Sequence, residues 1–428
     1  MRNTGISRRT LTERGRSTLS KAFLYVGNWS FEARPAKGKG ISIFSFDEQT
    51  GALDLLETVR PDVAAGQLWL DAEKGVLYSN DECGERRGEI GGGGYLLAFR
   101  IDRETGRLTL LNQRESLSPE PSYLCLDKSG RYLAVCHCGD PWHVTRIVRH
   151  GDGSFGNEVL FDDSALVLFR IEPDGSLGEA CDVSVNPGTG GKGENSRVNI
   201  DPVSGHIQLI EVLSRLHAVV ASPSGELLAV CDKGMDKVYT YRIEREHGRL
   251  VRLGEWSAPE VACFPRYAAF HPTRDVLYVN NENLALLNSF RCDERTGALE
   301  RFDSVYLLDS DPGLVEGKPV GAQDILVHPN GRTLYCTLCG LNLIVVCEID
   351  DRGAPRPVQR IDSRGNLPRG LALSPDGRFL LSGNMVSGDI TVFAVDGEGR
   401  LTDTGLTYPA VSPSALRFLR AEEPERSF

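Results

Sequence analysis

A short phrase returns along this chain, and it limits the possible fold more than any other feature. It reads LDAEKGVLYSNDE from Leu70, LDKSGRYLAVCHC from Leu126 and ASPSGELLAVCDK from Ala221. It returns as FHPTRDVLYVNNE from Phe270, VHPNGRTLYCTLC from Val327 and LSPDGRFLLSGNM from Leu373. Each copy is an apolar run, a tight turn and a second apolar run, with Pro-Asn-Gly and Pro-Asp-Gly supplying the backbone angles of a hairpin. A second hairpin follows, as in KVYTYRIEREHGRLVRL or ITVFAVDGEGRLTDTG, where apolar and polar residues alternate on both sides of a Gly-containing turn. Each unit therefore has four strands. The turns that start at Ser222, His271, His328 and Ser374 are 49, 57 and 46 residues apart.

A four-stranded unit at that spacing is a β-propeller blade. The first opens with FLYVGNWS and GISIFSFDEQTGALDLLETV, and later units start near Gly66, Pro121, Leu216, Pro265, Ala322 and Pro368. The last piece, PSALRFL at 413–419, is a lone inner strand. The sequence predicts an all-β, seven-bladed propeller of antiparallel four-stranded blades, closed when 413–419 pairs with 23–28 in the first blade. Closure removes sheet edges that would invite aggregation. Residues 23–420 make this domain, 1–22 a disordered basic extension and 421–428 a tail. The turns at Asp127 and Ser222 are 95 residues apart, and insertions at 139–163 and 187–215 fill the gap. Trp142, His143, Arg146, Arg149 and His150 make the first insertion basic and aromatic. It is either a solvated loop or a lid over one face of the ring.

The composition narrows the partners. A net charge of −11 over 428 residues argues against nucleic acid or an anionic membrane. No apolar run reaches the ~20 residues that cross a bilayer. An Arg8-Arg9 pair is followed by Glu13, Arg14 and Arg16, where an export signal needs an apolar segment. Eleven cysteines without a regular framework predict reduced thiols and a cytoplasmic protein. Cys136-His137-Cys138 and Cys336-x-x-Cys339 fall in or just after β-like runs, which favours packing over zinc. The expected partner is a small anionic substrate, bound by a monomer or homodimer, with no nucleic acid and no membrane.

Several catalytic motifs are missing. There is no Gly-x-Ser-x-Gly elbow and no His-Glu-x-x-His. GTGGKGEN, from Gly188, departs from a phosphate loop, with Asn186 where the first glycine belongs and Gly193 in place of Ser or Thr. Polar residues at equivalent strand ends remain. His217, Arg266 and Arg369 begin the inner strands of blades four, five and seven, and Glu282 ends the second strand of blade five. A hairpin brings the start of one strand beside the end of the next, so Arg266 and Glu282 share one mouth of the ring. Two arginines suit a carboxylate or phosphate, and a histidine with a glutamate suits proton transfer. The catalytic candidates are His217, Glu282 and Arg266, and the substrate-binding candidates are Arg369, Tyr267, Asn281, Asn384 and His137. Each also has a plainer reading, as a rim ion pair, a structural histidine or a turn residue. His271 and His328 sit at hairpin turns on the opposite face.

The stretches LHAVVASPSGELLAVCDKGMDKVYTYRI, FPRYAAFHPTRDVLYVNNEN and LPRGLALSPDGRFLLSGN make the chain resemble the seven-bladed lactonase family. That family includes propeller-type 6-phosphogluconolactonases and 3-carboxy-cis,cis-muconate lactonising enzymes, and the resemblance runs from Phe23 to Leu419. It implies a site at His217, Arg266 and Glu282 that uses no metal and no organic cofactor. Tyr267 stands where the family often has histidine, and Cys339 lies near the place of a family arginine. The expected function is lactone hydrolysis or cycloisomerisation of a small anionic sugar acid or carboxylate. The alternative is a non-catalytic binding or scaffold module, suggested by Cys339 and the insertions. A calcium site from Asp81, Glu82, Asn281, Glu282 and Asn384 is opposed by the arginines in the same mouth.

Overall fold

The computed structural model describes residues 21–29, 40–83, 85–86, 89–139, 143–200, 207–309, 314–315 and 318–421. Seven four-stranded antiparallel sheets form the ring. In blade one the order from rim to channel is Leu53–Val59, Ile41–Asp47, Lys21–Asn28 and Pro413–Arg420. The last strand is therefore the inner strand of the first blade, with Tyr25 opposite Arg417 and Val26 opposite Leu416. The first strand starts at Lys21, two residues before the expected boundary, because Ala22 pairs with both Phe46 and Arg420 and is buried. The rest of the expected extension, 1–20, and the tail 422–428 lie outside the described residues. The other inner strands are Leu68–Asp71, Pro121–Leu126, Leu216–Ala221, Pro265–Phe270, Gly321–Val327 and Pro368–Leu373.

The repeated phrase folds as its chemistry requires. The N–H at each turn start bonds the carbonyl five residues on, at Asp127, Ser222, His271, His328 and Ser374, all at 2.8 Å. The turn side chain then caps the loop: Ser222 Oγ accepts from Leu227 N, and His328 Nδ1 accepts from Asn330 N. His271 and His328 are thus turn residues, as expected. The second strands, such as Val276–Asn281, are buried throughout, whereas outer strands such as Leu53–Val59 are largely open to solvent.

Blades are latched to their neighbours. Tyrosines at one position of the second strand, Tyr25, Tyr78, Tyr278 and Tyr335, each donate to a turn glycine carbonyl of the next blade, at Gly106, Gly175, Gly353 and Gly399. Each hydroxyl is satisfied where it is buried, which avoids the cost of an unpaired polar group.

Strand parity places the insertions. The second strand ends, and the third begins, at the face where the inner strand starts; the fourth ends there too. The ribbon of His143–Arg149 with Phe155–Phe161 and that of Arg197–Ile200 with Ile207–Ile210 therefore both leave from this face. Trp142 and the His143 side chain lie outside the described residues. Two smaller ribbons that the sequence pattern did not indicate, Glu85–Arg86 with Glu89–Gly92 and Leu314–Val315 with Lys318–Pro319, leave from the same face.

The seam between blades one and seven is the test of closure. Leu416 is buried there and lies against Gly370 and Gly383 of blade seven. Leu416→Ala is expected to lower the unfolding free energy by about 2–5 kcal/mol. Urea denaturation measures it, and an unchanged midpoint would mean that the seam is not closed.

Candidate active site

One backbone bond builds the mouth of the channel. A residue just past the second strand donates its N–H to a residue just ahead of the inner strand: Trp29 to Ser412, Glu82 to Ala64, Cys138 to Glu120, Lys233 to Arg215, Glu282 to Phe264 and Met385 to Leu367, at 2.8–3.1 Å. In blade six the corresponding pair is Cys339 with Gly321. This bond produces two ranks of side chains. The outer rank is Trp29, Glu82, Cys138, Lys233, Glu282, Cys339 and Met385. The inner rank, two residues beyond each acceptor, is Ser414, Gly66, Ser122, His217, Arg266, Gln323 and Arg369.

Five sequence candidates meet here. Arg266 is 2% exposed, and its Nη1 is 3.4 Å from Glu282 Oε2. Arg266 also lies over the Tyr267 ring at 4.9 Å, and that ring is 5.3 Å from His217. Arg369 stacks over Trp29 at 4.3 Å, with its Nη2 4.0 Å from Glu82 Oε1. Residues that the sequence reasoning did not assign to the substrate site complete the mouth. Lys233 Nζ is 3.0 Å from Glu282 Oε2, and Arg215 Nη2 is 3.4 Å from Glu120 Oε2. Lys233 and Glu82 were readable in principle, since both are the last letter of the repeated phrase. Arg215 was not, because it comes from the end of an insertion.

Three candidates do not reach the mouth. Successive strand residues face opposite ways, so the residue before each outer-rank position turns into its own blade. Asn281 Nδ2 donates to Leu286 O at 2.8 Å. Asn384 Nδ2 donates to Asp389 Oδ1 at 2.7 Å and to Thr391 Oγ1 at 3.2 Å. The His137 ring is fully buried, with Nδ1 3.2 Å from Ala165 O, and burial pushes its pKa down to about 4. These side chains hold blade ends together.

The electrostatics favour an anion. Arg266 Nε and Nη2, Arg369 Nε and Arg215 Nε are buried without a hydrogen-bond partner among the described residues. Buried donors normally find partners. Burial holds the His217 pKa well below the usual imidazole value, and Arg266, Lys233, Arg369 and Arg215 lower it further. Its Nδ1 also has no partner among the described residues. A cavity of 520 Å³ opens at the other ends of the inner strands, and no histidine or carboxylate lines it.

A closed seven-bladed ring with a histidine, a glutamate and paired arginines at one mouth is the architecture of a propeller hydrolase. Residues 23–418 match the family described as "Lactonase, 7-bladed beta-propeller", and the chain belongs to that family of lactone-hydrolysing enzymes. It is 25% identical over 406 residues to a 6-phosphogluconolactonase of Bacillus subtilis, covering 94% of this chain and 99% of that one. It is 24% identical over 380 residues to a 6-phosphogluconolactonase of Formosa agariphila, covering 88% and 93%. Among solved structures it resembles the periplasmic gluconolactonase of Pseudomonas aeruginosa, with TM-score 0.73, 25% identity and coverage of 94% and 100%.

The neutral histidines have a stability consequence. Their folded pKa values lie below the unfolded value of ~6.5. As pH falls through 6.5 the unfolded chain takes up protons that the folded chain refuses, so stability drops; above it the effect vanishes. Urea unfolding is expected to show lower stability at pH 5 than at pH 7.5, and the drop should shrink in His217→Asn. An equal drop in the variant would contradict this.

Proposed function

We propose that this mouth hydrolyses the lactone of a small, hydroxylated sugar acid, of the gluconolactone kind named for its relatives. The observation that carries this reading is Arg266: a cation 2% exposed, with two donors unpartnered among the described residues, directly beside a carboxylate. A buried cation with spare donors is costly unless a ligand anion or oxyanion completes it.

The roles follow from charge. Glu282 accepts the proton of a water that adds to the lactone carbonyl. His217, held neutral by burial and by four cations, is a weak proton acceptor and serves as a hydrogen-bond donor to the developing oxyanion. Arg266 and Arg369 stabilise that oxyanion and any anionic group of the substrate. When the carbonyl re-forms, the ring C–O bond breaks and Glu282 returns the proton to the departing alkoxide. The products are an open-chain hydroxyl and a carboxylic acid, which ionises. Lys233 keeps Glu282 in place through Oε2. Tyr267 forms the floor. The named relatives are lactone hydrolases, so hydrolysis rather than cycloisomerisation is the direction we assign. We also assign a cytoplasmic location, since all eleven cysteines stand as free thiols.

Steady-state kinetics on glucono-δ-lactone and its 6-phosphate test this. Glu282→Gln is expected to lower kcat by ~10²–10⁴-fold with little change in KM. Arg266→Ala should lower kcat/KM by ~10–100-fold. The profile of kcat/KM against pH should show no limb near 6.5 that disappears in His217→Asn. Wild-type kcat in Glu282→Gln would exclude it as the base, and a His217-dependent limb would make the histidine the titrating group.

A further inference from the structure

Blades two and five are the same construction 200 residues apart. Glu82 N bonds Ala64 O at 2.8 Å, and Glu282 N bonds Phe264 O at 2.8 Å. Gln67 N donates to Asn80 Oδ1 at 2.7 Å, and Tyr267 N donates to Asn280 Oδ1 at 2.9 Å. Glu82 is therefore the positional counterpart of Glu282. The counterpart of Arg266 is Gly66, and this exchange sets the difference. In blade five the carboxylate stands beside an arginine of its own blade. In blade two the space above Gly66 is taken by the Glu82 carboxylate itself, and a Cβ built on Gly66 would fall 1.8 Å from Oε2. The glycine lets the second carboxylate lean inward, 9% exposed, toward Arg369 of blade seven.

The mouth thus holds two carboxylates in equivalent positions with different surroundings. Glu282 is engaged at Oε2 by Lys233 and Arg266. Glu82 instead faces Arg369 of blade seven, at 4.0 Å. Arg369 Nε, beside it, is buried without a partner among the described residues. A cationic donor and a carboxylate acceptor side by side form the pair that a vicinal diol completes, one hydroxyl oxygen accepting from arginine and one hydroxyl donating to carboxylate.

We propose that Glu82, seated over Gly66, is the residue that recognises substrate hydroxyls and makes the site selective for polyhydroxylated lactones over plain ones. The assignment rests on the lactonase reading above. A site built to bond a hydroxyl discriminates strongly against the analogue that lacks it, while a carboxylate serving only to hold Arg369 would affect both lactones alike.

The experiment compares glucono-δ-lactone with δ-valerolactone, which has the same ring and no hydroxyls. In Glu82→Ala the ratio of their kcat/KM values is expected to fall by ~10–100-fold, the loss of one or more charge-assisted hydrogen bonds. Gly66→Ala should reproduce the fall with every charge retained, because its methyl group displaces the carboxylate; Gly66 has no positive φ, so its backbone accepts alanine. An unchanged ratio in both variants, with both lactones slowed equally, overturns the proposal and leaves Glu82 as a support for Arg369. Calorimetric binding of gluconate and 5-hydroxypentanoate separates this from failure of the lactonase reading. If the wild type turns over neither lactone, that reading falls, yet a wild-type preference for gluconate that Glu82→Ala removes still sustains the hydroxyl assignment. A wild type without preference overturns it.

Discussion

A single main-chain hydrogen bond, repeated around the ring, fixes the geometry on which the site depends. It ties the end of each second strand to the entrance of each inner strand, and both side-chain ranks take their direction from it. The bond involves only backbone, so any side chain can occupy the ranks without disturbing the blade. This explains how Trp29, Glu82, Cys138, Lys233, Glu282, Cys339 and Met385 can share one position. The strands make the scaffold uniform, and the ranks make it chemical.

The same geometry concentrates positive charge in an acidic protein. The whole chain carries −11, yet Arg215, Lys233, Arg266 and Arg369 all act on His217. These cations sit on the channel side of blades four, five and seven, where water screens their charges poorly. Glu82, Glu120 and Glu282 offset part of the field and leave donors on three arginines without partners among the described residues. The balance favours an incoming anion and at the same time keeps the imidazole uncharged. Burial and cations act in one direction on His217, and in opposite directions on a carboxylate.

Much of this was legible in the sequence because the fold is written as a repeat. The turn residues, the inner strands, the pairing of the last strand with the first and the meeting of Arg266 with Glu282 all follow from spacing. What failed did so for identifiable reasons. Asn281, Asn384 and His137 were assigned to the mouth by proximity along the chain, but alternation turns each into its own blade. Glu82 entered the reading only as a possible cation ligand, since nothing in its neighbours reveals that Gly66 leaves room for it. Arg215 comes from an insertion whose path no period specifies. The ribbons at 85–92 and 314–319 are too short to carry an alternating pattern.

Ring closure also changes what the chain termini mean. The strand pair of Lys21–Asn28 and Pro413–Arg420 is made like the junctions inside every other blade, so the ends meet at a place with no special structural status. The order of blades in space is cyclic, while the order in sequence is only one of seven ways to cut it. A circularly permuted chain, with Arg420 joined to Lys21 by a linker beside the Ala22–Arg420 pair and new ends opened at a hairpin turn far from the mouth, keeps every pairing described. The molecule's organisation belongs to the circle rather than to the line of the polypeptide.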